Sequence, residues 1–253
     1  PRDGFGTVTI ASDGIRLDRC AALSLFGFVS SGSLTMTYCS NLDVGWSRFS
    51  GASITRGGAD LSCYELVLGF RYSAQDTMGI RPTGATQMTD ISRFGCVFGP
   101  SVKRAGDGAH CDTIQLEGTG SGPFGPFNSI DCVDYGSSNA ALLLHDGVTR
   151  AEFHHCLVLA GDLPWQMFPL RPGDYRGHPN AFAGGCRDVR AYNSVIAGPV
   201  GRMGFTHVHN TMVSYQLQAS QAPRVSGAWM VNTDATGWSR SDLMTLQSLT
   251  DYS

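Results

Sequence analysis

The chain has 253 residues, 42% of them hydrophobic and 15% charged, with a formal net charge of −3. That length holds one large domain or two small ones, and the charge balance leaves no basic stripe of the kind nucleic acid requires. No apolar run approaches the roughly 18 residues of a membrane helix, so no membrane insertion is expected, and no signal-peptide pattern opens the chain. The sequence begins at Pro1 without a Met, as a processed or excised piece of a longer chain would, and nearly all its positive charge is Arg, because Lys103 is the only lysine.

In chain order, residues 7–10 and 22–26 read as short strands separated by the turn-forming Ser12, Asp13 and Gly14. Further strands are expected at 34–39, 42–44, around Ile54 and over 61–68. Each is short, rich in β-branched or aromatic residues and bounded by Gly, Ser, Asn or Asp. The central stretch, 106–120, places His110, Asp112 and Gln115 at the mouth of a strand in which Ile114 and Leu116 alternate with Gln115 and Glu117. That alternation marks a half-buried strand with one polar face. Residues 120–128 read as a Gly/Pro/Phe loop, and strands resume around Ile130 and over 140–144 and 152–161. The longest irregular segment, 162–185, is by its length either functional or disordered. Strands over 189–198 and 205–215 follow. Residues 241–249 carry a Ser or Asp cap and apolar residues at helical spacing, which predicts a terminal helical cap within 235–253.

No sustained helical periodicity precedes that cap, which excludes alternating strands and helices. Residues 76–84 align with 112–120 at an offset of 36, and Cys96 relates to Cys132 by the same offset. A repeat of this size points to stacked structural units. The eight cysteines include no CxxC, so structural zinc is not indicated. Cys63, Cys132 and Cys156 sit in short apolar runs, and Asn193 and Asn210 are read into the same slot. Small buried Cys or laddered Asn suits stacked β-turns, so mostly free, inward-facing thiols are expected. The resulting expectation is a single all-β domain over 1–253, a right-handed parallel β-helix (solenoid) with a short C-terminal helical cap. A β-sandwich is the runner-up, but it favours tight Asn-Gly hairpins, which are absent.

The segment His110-Cys111-Asp112-Thr113-Ile114-Gln115, with strands such as Phe153-His154-His155-Cys156-Leu157-Val158, resembles the pectate-lyase-like superfamily of right-handed β-helices. That group comprises polysaccharide lyases, glycoside hydrolases and phage tailspikes. The resemblance covers most of the chain as a pattern and only the HxDxxQ segment as a motif, so His110, Asp112 and Gln115 alone carry over. The multiple-Asp motifs of polygalacturonases and the calcium-binding aspartate cluster of pectate lyases have no counterpart. It implies a polysaccharide lying along an outer face across several rungs.

If Asp76 and Asp112 occupy one slot on adjacent rungs, their carboxyls lie about 5 Å apart, which suits a retaining glycosidase, a shared proton or a cation such as calcium. The alternative is a turn role for both. His110 suits a general acid or base, or a structural histidine, since its parity places it with Asp112 on the side of Ile114. Gln115 and Glu117 point outward towards sugar hydroxyls. In the long loop, Trp165, Phe168 and Tyr175 suit stacking on sugar rings, and Arg171 and Arg176 suit a uronate carboxylate. Lys103, His178 or Tyr175 could supply a lyase base, with a packed surface loop as the plain alternative. His154, His155, His207 and His209 read first as strand-surface residues. The leading expectation is an extracellular or virion-borne protein that recognises an acidic polysaccharide and cleaves it by lyase or hydrolase chemistry. The alternative is a non-catalytic phage-type spike or receptor-binding protein. The enzyme is expected to be a monomer and the spike a homotrimer.

Overall fold

The computed structural model describes residues 6–213 except 12, 57, 83–87, 118–123, 162, 176, 178 and 201–204, together with 224–226 and 229–230. The expected C-terminal cap, Arg176 and His178 lie outside the described residues. The chain is all-β with one short helix, Leu163–Met167, and its strands form stacked, almost wholly parallel sheets.

Successive segments visit three sheets in turn. Sheet A stacks Thr7–Ala11, Gly14–Asp18, Ser33–Thr37, Gly51–Thr55, Met78–Arg81, Asp112–Leu116, Ala140–Leu144 and Asn180–Gly184. Sheet B runs from Ala21–Phe26 through Gly58–Tyr64, Met88–Phe94 and Phe127–Ile130 to Arg224–Ser226. Sheet C runs from Arg48–Phe49 through Val97–Phe98 and Val133–Tyr135 to Trp229–Met230. The offset of 36 is one full turn of this coil: Met78 pairs with Ile114, Ile91 with Phe127 and Val97 with Val133. Such an arrangement is compatible with a β-helix or solenoid-like fold.

In-register parallel pairing brings each side chain over its equivalent one rung away, about 4.8 Å distant. Inside sheet A the columns are apolar: Leu34, Ala52, Met78, Ile114 and Leu142 stack in one, Met36, Ile54, Ile80, Leu116 and Leu144 in the next. Burying each such side chain contributes roughly 1.5–3 kcal/mol.

The corner from sheet B to sheet C forces a left-handed residue on every rung. Gly27, Trp46, Glu65, Gly95, Asp131, His155, Asn193 and Asn210 all have positive φ there. Asn and Asp tolerate this conformation, which explains the two asparagines. They are therefore not in the cysteine slot, as expected from sequence, but one position before it. That slot, the first inward position after the corner, holds Cys96, Cys132, Cys156, Ser194 and Thr211. Its hydroxyls accept from backbone, as Ser194 Oγ does from the Cys156 amide at 3.0 Å. All eight cysteines are free and buried, and burial pushes the Cys63 thiol up to about 12 and Cys111 to about 11.

Three further readings change. The segment 162–185 contains the helix Leu163–Met167 and the sheet A strand Asn180–Gly184, which is hidden in sequence because Pro179 and two glycines bracket it. Phe127 and Asn128 belong to a strand, not to a loop. An antiparallel partner, Thr7–Ala11, covers the first edge of sheet A.

The interior also holds a charge pair. Arg93 and Asp134 are fully buried and joined by two parallel 2.8 Å bonds, Nη1 to Oδ1 and Nη2 to Oδ2. Ser129 Oγ accepts from Nη2 at 2.7 Å, and the guanidinium lies 4.8 Å from the Phe98 ring centroid and 5.0 Å from that of Phe127. Removing one partner strands a buried charge, so Asp134→Ala is expected to cost about 3–5 kcal/mol in urea unfolding, with Arg93→Met/Asp134→Leu recovering most of it. A loss under 1 kcal/mol for Asp134→Ala would contradict this role.

Candidate functional site

The outward positions of sheet A form a polar column in register: Thr35, Ser53, Gly79 and Gln115. Over this column lies a cleft of about 410 Å³, also lined by Arg71, Asp76, Arg81 and His110. Gly79 is where the cleft needs room. A Cβ there would lie 2.5 Å from Arg81 Nη1, so any larger residue would push the guanidinium from its place in the cleft.

Arg81 is the hub. Its Nη2 donates to Asp76 Oδ2 at 2.5 Å and to Gln115 Oε1, and its Nε donates to Glu117 Oε2 at 2.8 Å. Gln115 and Glu117 point outward as the strand alternation requires, and the one-turn register puts Glu117 and Gln115 beside Arg81. Arg71 lies behind, with Nη2 donating to the Asp76 carbonyl at 2.5 Å and Nε without a hydrogen-bond partner. Burial lowers its pKa from the ordinary value, against the attraction of Asp76.

The two aspartates share a slot, 36 residues apart, but divide its roles. Asp76 caps the next rung: its Oδ1 accepts the Asp112 backbone N–H at 2.9 Å. This is the turn role left open by the sequence, now combined with a place in the cleft. Asp112 turns inward with Ile114 and Leu116 and is wholly buried. Its Oδ1 accepts from Asn139 Nδ2 at 2.8 Å, and its Oδ2 has no partner. Burial raises its pKa to about 7, the Asp76 charge adding to the effect while Asn139 opposes it. His110 does not follow Asp112 inward. It precedes the strand, is exposed and lines the cleft.

Lys103 stands outside this cleft. Its ammonium donates to the carbonyls of Asp107 at 2.7 Å and Ala109 at 2.5 Å, fastening the loop that carries His110. The long loop forms a neighbouring depression of about 240 Å³, which shares Ala74 with the cleft. There the Arg171 guanidinium lies 3.2 Å from the Tyr72 ring centroid, and Phe168 packs on Tyr72 at 5.0 Å. Asp174 Oδ2 accepts the Arg171 amide at 2.8 Å, and Tyr175 lies 5.1 Å beneath the Lys103 ammonium. Trp165 donates from Nε1 to the Gly177 carbonyl at 2.8 Å and holds the loop closed on itself. Thus His110, Gln115 and Asp76 converge, Glu117 joins them through Arg81, and the aromatic and arginine residues of the loop form a separate group.

Sequence reasoning missed Arg71, Arg81, Thr35 and Ser53. Arg81 carried a signal, because the 36-residue alignment sets it opposite Glu117. His154 and His209 are separated by the rung of Tyr192, which stacks on His154 at 4.7 Å. Among the described residues, no group of three or more His, Cys, Asp or Glu is placed to hold a metal ion, and no helix is long and apolar enough to cross a membrane.

No protein-family model matches the chain, and no curated protein matches it.

The raised pKa of Asp112 has a pH signature. A carboxyl whose native pKa exceeds its unfolded value contributes its full stability below the unfolded pKa, near 3.8, and loses it as pH rises through about 7. From pH 5 to pH 8 the expected loss is about 2 to 3 kcal/mol. Asp112→Asn keeps the acceptor for Asn139 and removes the titration, so its unfolding free energy should be flatter across that interval. An unchanged slope would refute the assignment.

Proposed function

We propose that the chain is a right-handed parallel β-helix of the pectate-lyase-like type, and that the sheet A cleft binds and cleaves an acidic polysaccharide by elimination. The observation that carries this reading is the convergence of two arginines, an exposed histidine and a column of hydroxyl and amide groups on one outer face of stacked strands. Thr35, Ser53 and Gln115 recur at the rung spacing, so an extended glycan meets one polar side chain after another as it crosses the rungs.

Elimination fits these groups better than double displacement does. A retaining hydrolase requires two carboxyls facing the scissile bond. Here Asp112 is buried behind the strand, and both oxygens of Asp76 are already engaged. A lyase requires a base and a cation against the uronate carboxylate. His110 is the exposed base: it takes the proton from the carbon beside the carboxylate. The electron pair left behind forms a carbon–carbon double bond as the glycosidic oxygen departs with the carbon–oxygen bonding pair and takes a proton from water. Arg71 and Arg81, which both line the cleft, counter the charge that builds on the carboxylate in the transition state. Such a substrate puts the protein outside the cell or on a virion surface.

The test is incubation with soluble uronate polymers (polygalacturonate, alginate, hyaluronan) and neutral polymers, following both reducing ends and the ultraviolet absorbance of unsaturated uronates. One uronate polymer is expected to give both signals, and His110→Ala should lower the rate by about 10²–10⁴-fold. Reducing ends without unsaturated product would mean hydrolysis. Binding without product, by a trimer in sedimentation, would leave a spike-like recognition module.

A further inference from the structure

The outer face of sheet B carries two columns, two residues apart along each strand. One is polar: Ser24, Asp43, Ser62 and Ser92 stand in register on successive rungs. The other is aromatic: Phe26, Tyr64 and Phe94, with Gly45 between the first two. Tyr64 stacks on Phe94 at 5.3 Å with ring planes 10° apart, and Phe26 lies 6.3 Å from Tyr64. Gly45 makes the contact between rungs: a Cβ at that position would lie 2.4 Å from the Phe26 ring.

Trp46 joins this ridge from the corner, its ring 5.2 Å from Phe26. Its φ is 47°, in a row where glycine, Asn and Asp are the residues that conformation favours. It is also 65% exposed. Neither backbone preference nor core packing accounts for a large indole at this position. Tyr64 and Phe94 lie face to face on one another, whereas Trp46 offers an exposed ring for stacking.

We propose that the Trp46 ridge and the adjoining serine and aspartate column form a second glycan-binding surface, specific for a neutral polysaccharide and separate from the sheet A cleft. The columns lie about 7 Å apart, two residues along a strand. A sugar ring laid with its C–H face on the Trp46 indole thereby turns its hydroxyls towards the column of Ser24, Asp43 and Ser62. Over the rungs from Ser24 to Ser92, the charged groups in these two columns and beside Tyr64 at the corner are Asp43 and Glu65, which repel a polyuronate and accept hydrogen bonds from hydroxyls. The surface does not depend on the reading of the cleft, and its ligand differs in charge.

Native gel electrophoresis of the full chain through hydroxyethylcellulose, xyloglucan, glucomannan, amylose and dextran, with polygalacturonate as the acidic control, tests this. At least one neutral polymer is expected to retard the protein. Trp46→Ala should weaken that binding by about fivefold or more and Trp46→Phe by less than twofold, with His110→Ala leaving it unchanged. Trp46 is exposed, so circular dichroism of the Ala variant should match the parent. Absence of retardation by every neutral polymer, or equal retardation of Trp46→Ala, would overturn the proposal. A dimer in sedimentation that Trp46→Ala dissociates would instead assign the ridge to a second copy of the chain.

Discussion

Register between parallel rungs is the constraint on which the rest depends. Once Met78 stands opposite Ile114, every other residue of the two rungs is fixed relative to its partner, and each column must suit a single environment. Inward columns are apolar, or small and hydrogen-bonded like the Cys, Ser and Thr slot after the corner, because there is no water to satisfy anything else. Outward columns are polar or aromatic. Corner columns are chosen by backbone conformation, which is why Gly, Asn and Asp recur there and why Trp46 stands out. The hub at Arg81 is a product of the same rule: residues 36 apart become neighbours, so a single guanidinium reaches acidic and amide groups from two rungs.

Two interior groups break the apolar rule in different ways. Arg93 and Asp134 neutralise one another in a two-point contact, with Ser129 and two aromatic rings completing the shell. Pairing of this quality is what lets charge persist without water, although an apolar pair of similar volume would be about as stable. Asp112 has no cation at its side chain. It has Asn139 on one oxygen and no partner on the other, and burial raises its pKa against the Asn139 bond. Its backbone is the part that serves the cleft, since its N–H fixes the Asp76 carboxyl.

Much of this was legible in the residues. The offset of 36 gave the turn of the coil, the cysteine contexts gave buried free thiols, and the alternation around Ile114 gave the outward direction of Gln115 and Glu117. Other features were not. Arg93 has inward parity with Ile91, yet an arginine in that position is readable only once Asp134, 41 residues on, is seen beside it. Thr35 and Ser53 are ordinary hydroxyls until stacking aligns them with Gly79 and Gln115. The exposure of His110 depends on where the strand begins, and Lys103 sets that by holding two carbonyls of the preceding loop.

The amino-acid sequence by itself determined the all-β class, the short strands and the spacing of at least one full turn. These follow from local patterns: alternation, turn residues and a repeated segment. Tertiary structure alone decided which of two equivalent aspartates lines the cleft, that Arg71 and Arg81 line it too, and that four aromatic side chains from successive rungs form one ridge. The physical reason is that rungs differ in length, with paired positions on adjacent rungs separated by steps as short as 16 and as long as 40 residues. Neighbours on the surface therefore have no fixed separation in the chain, and only the stacked register reveals them.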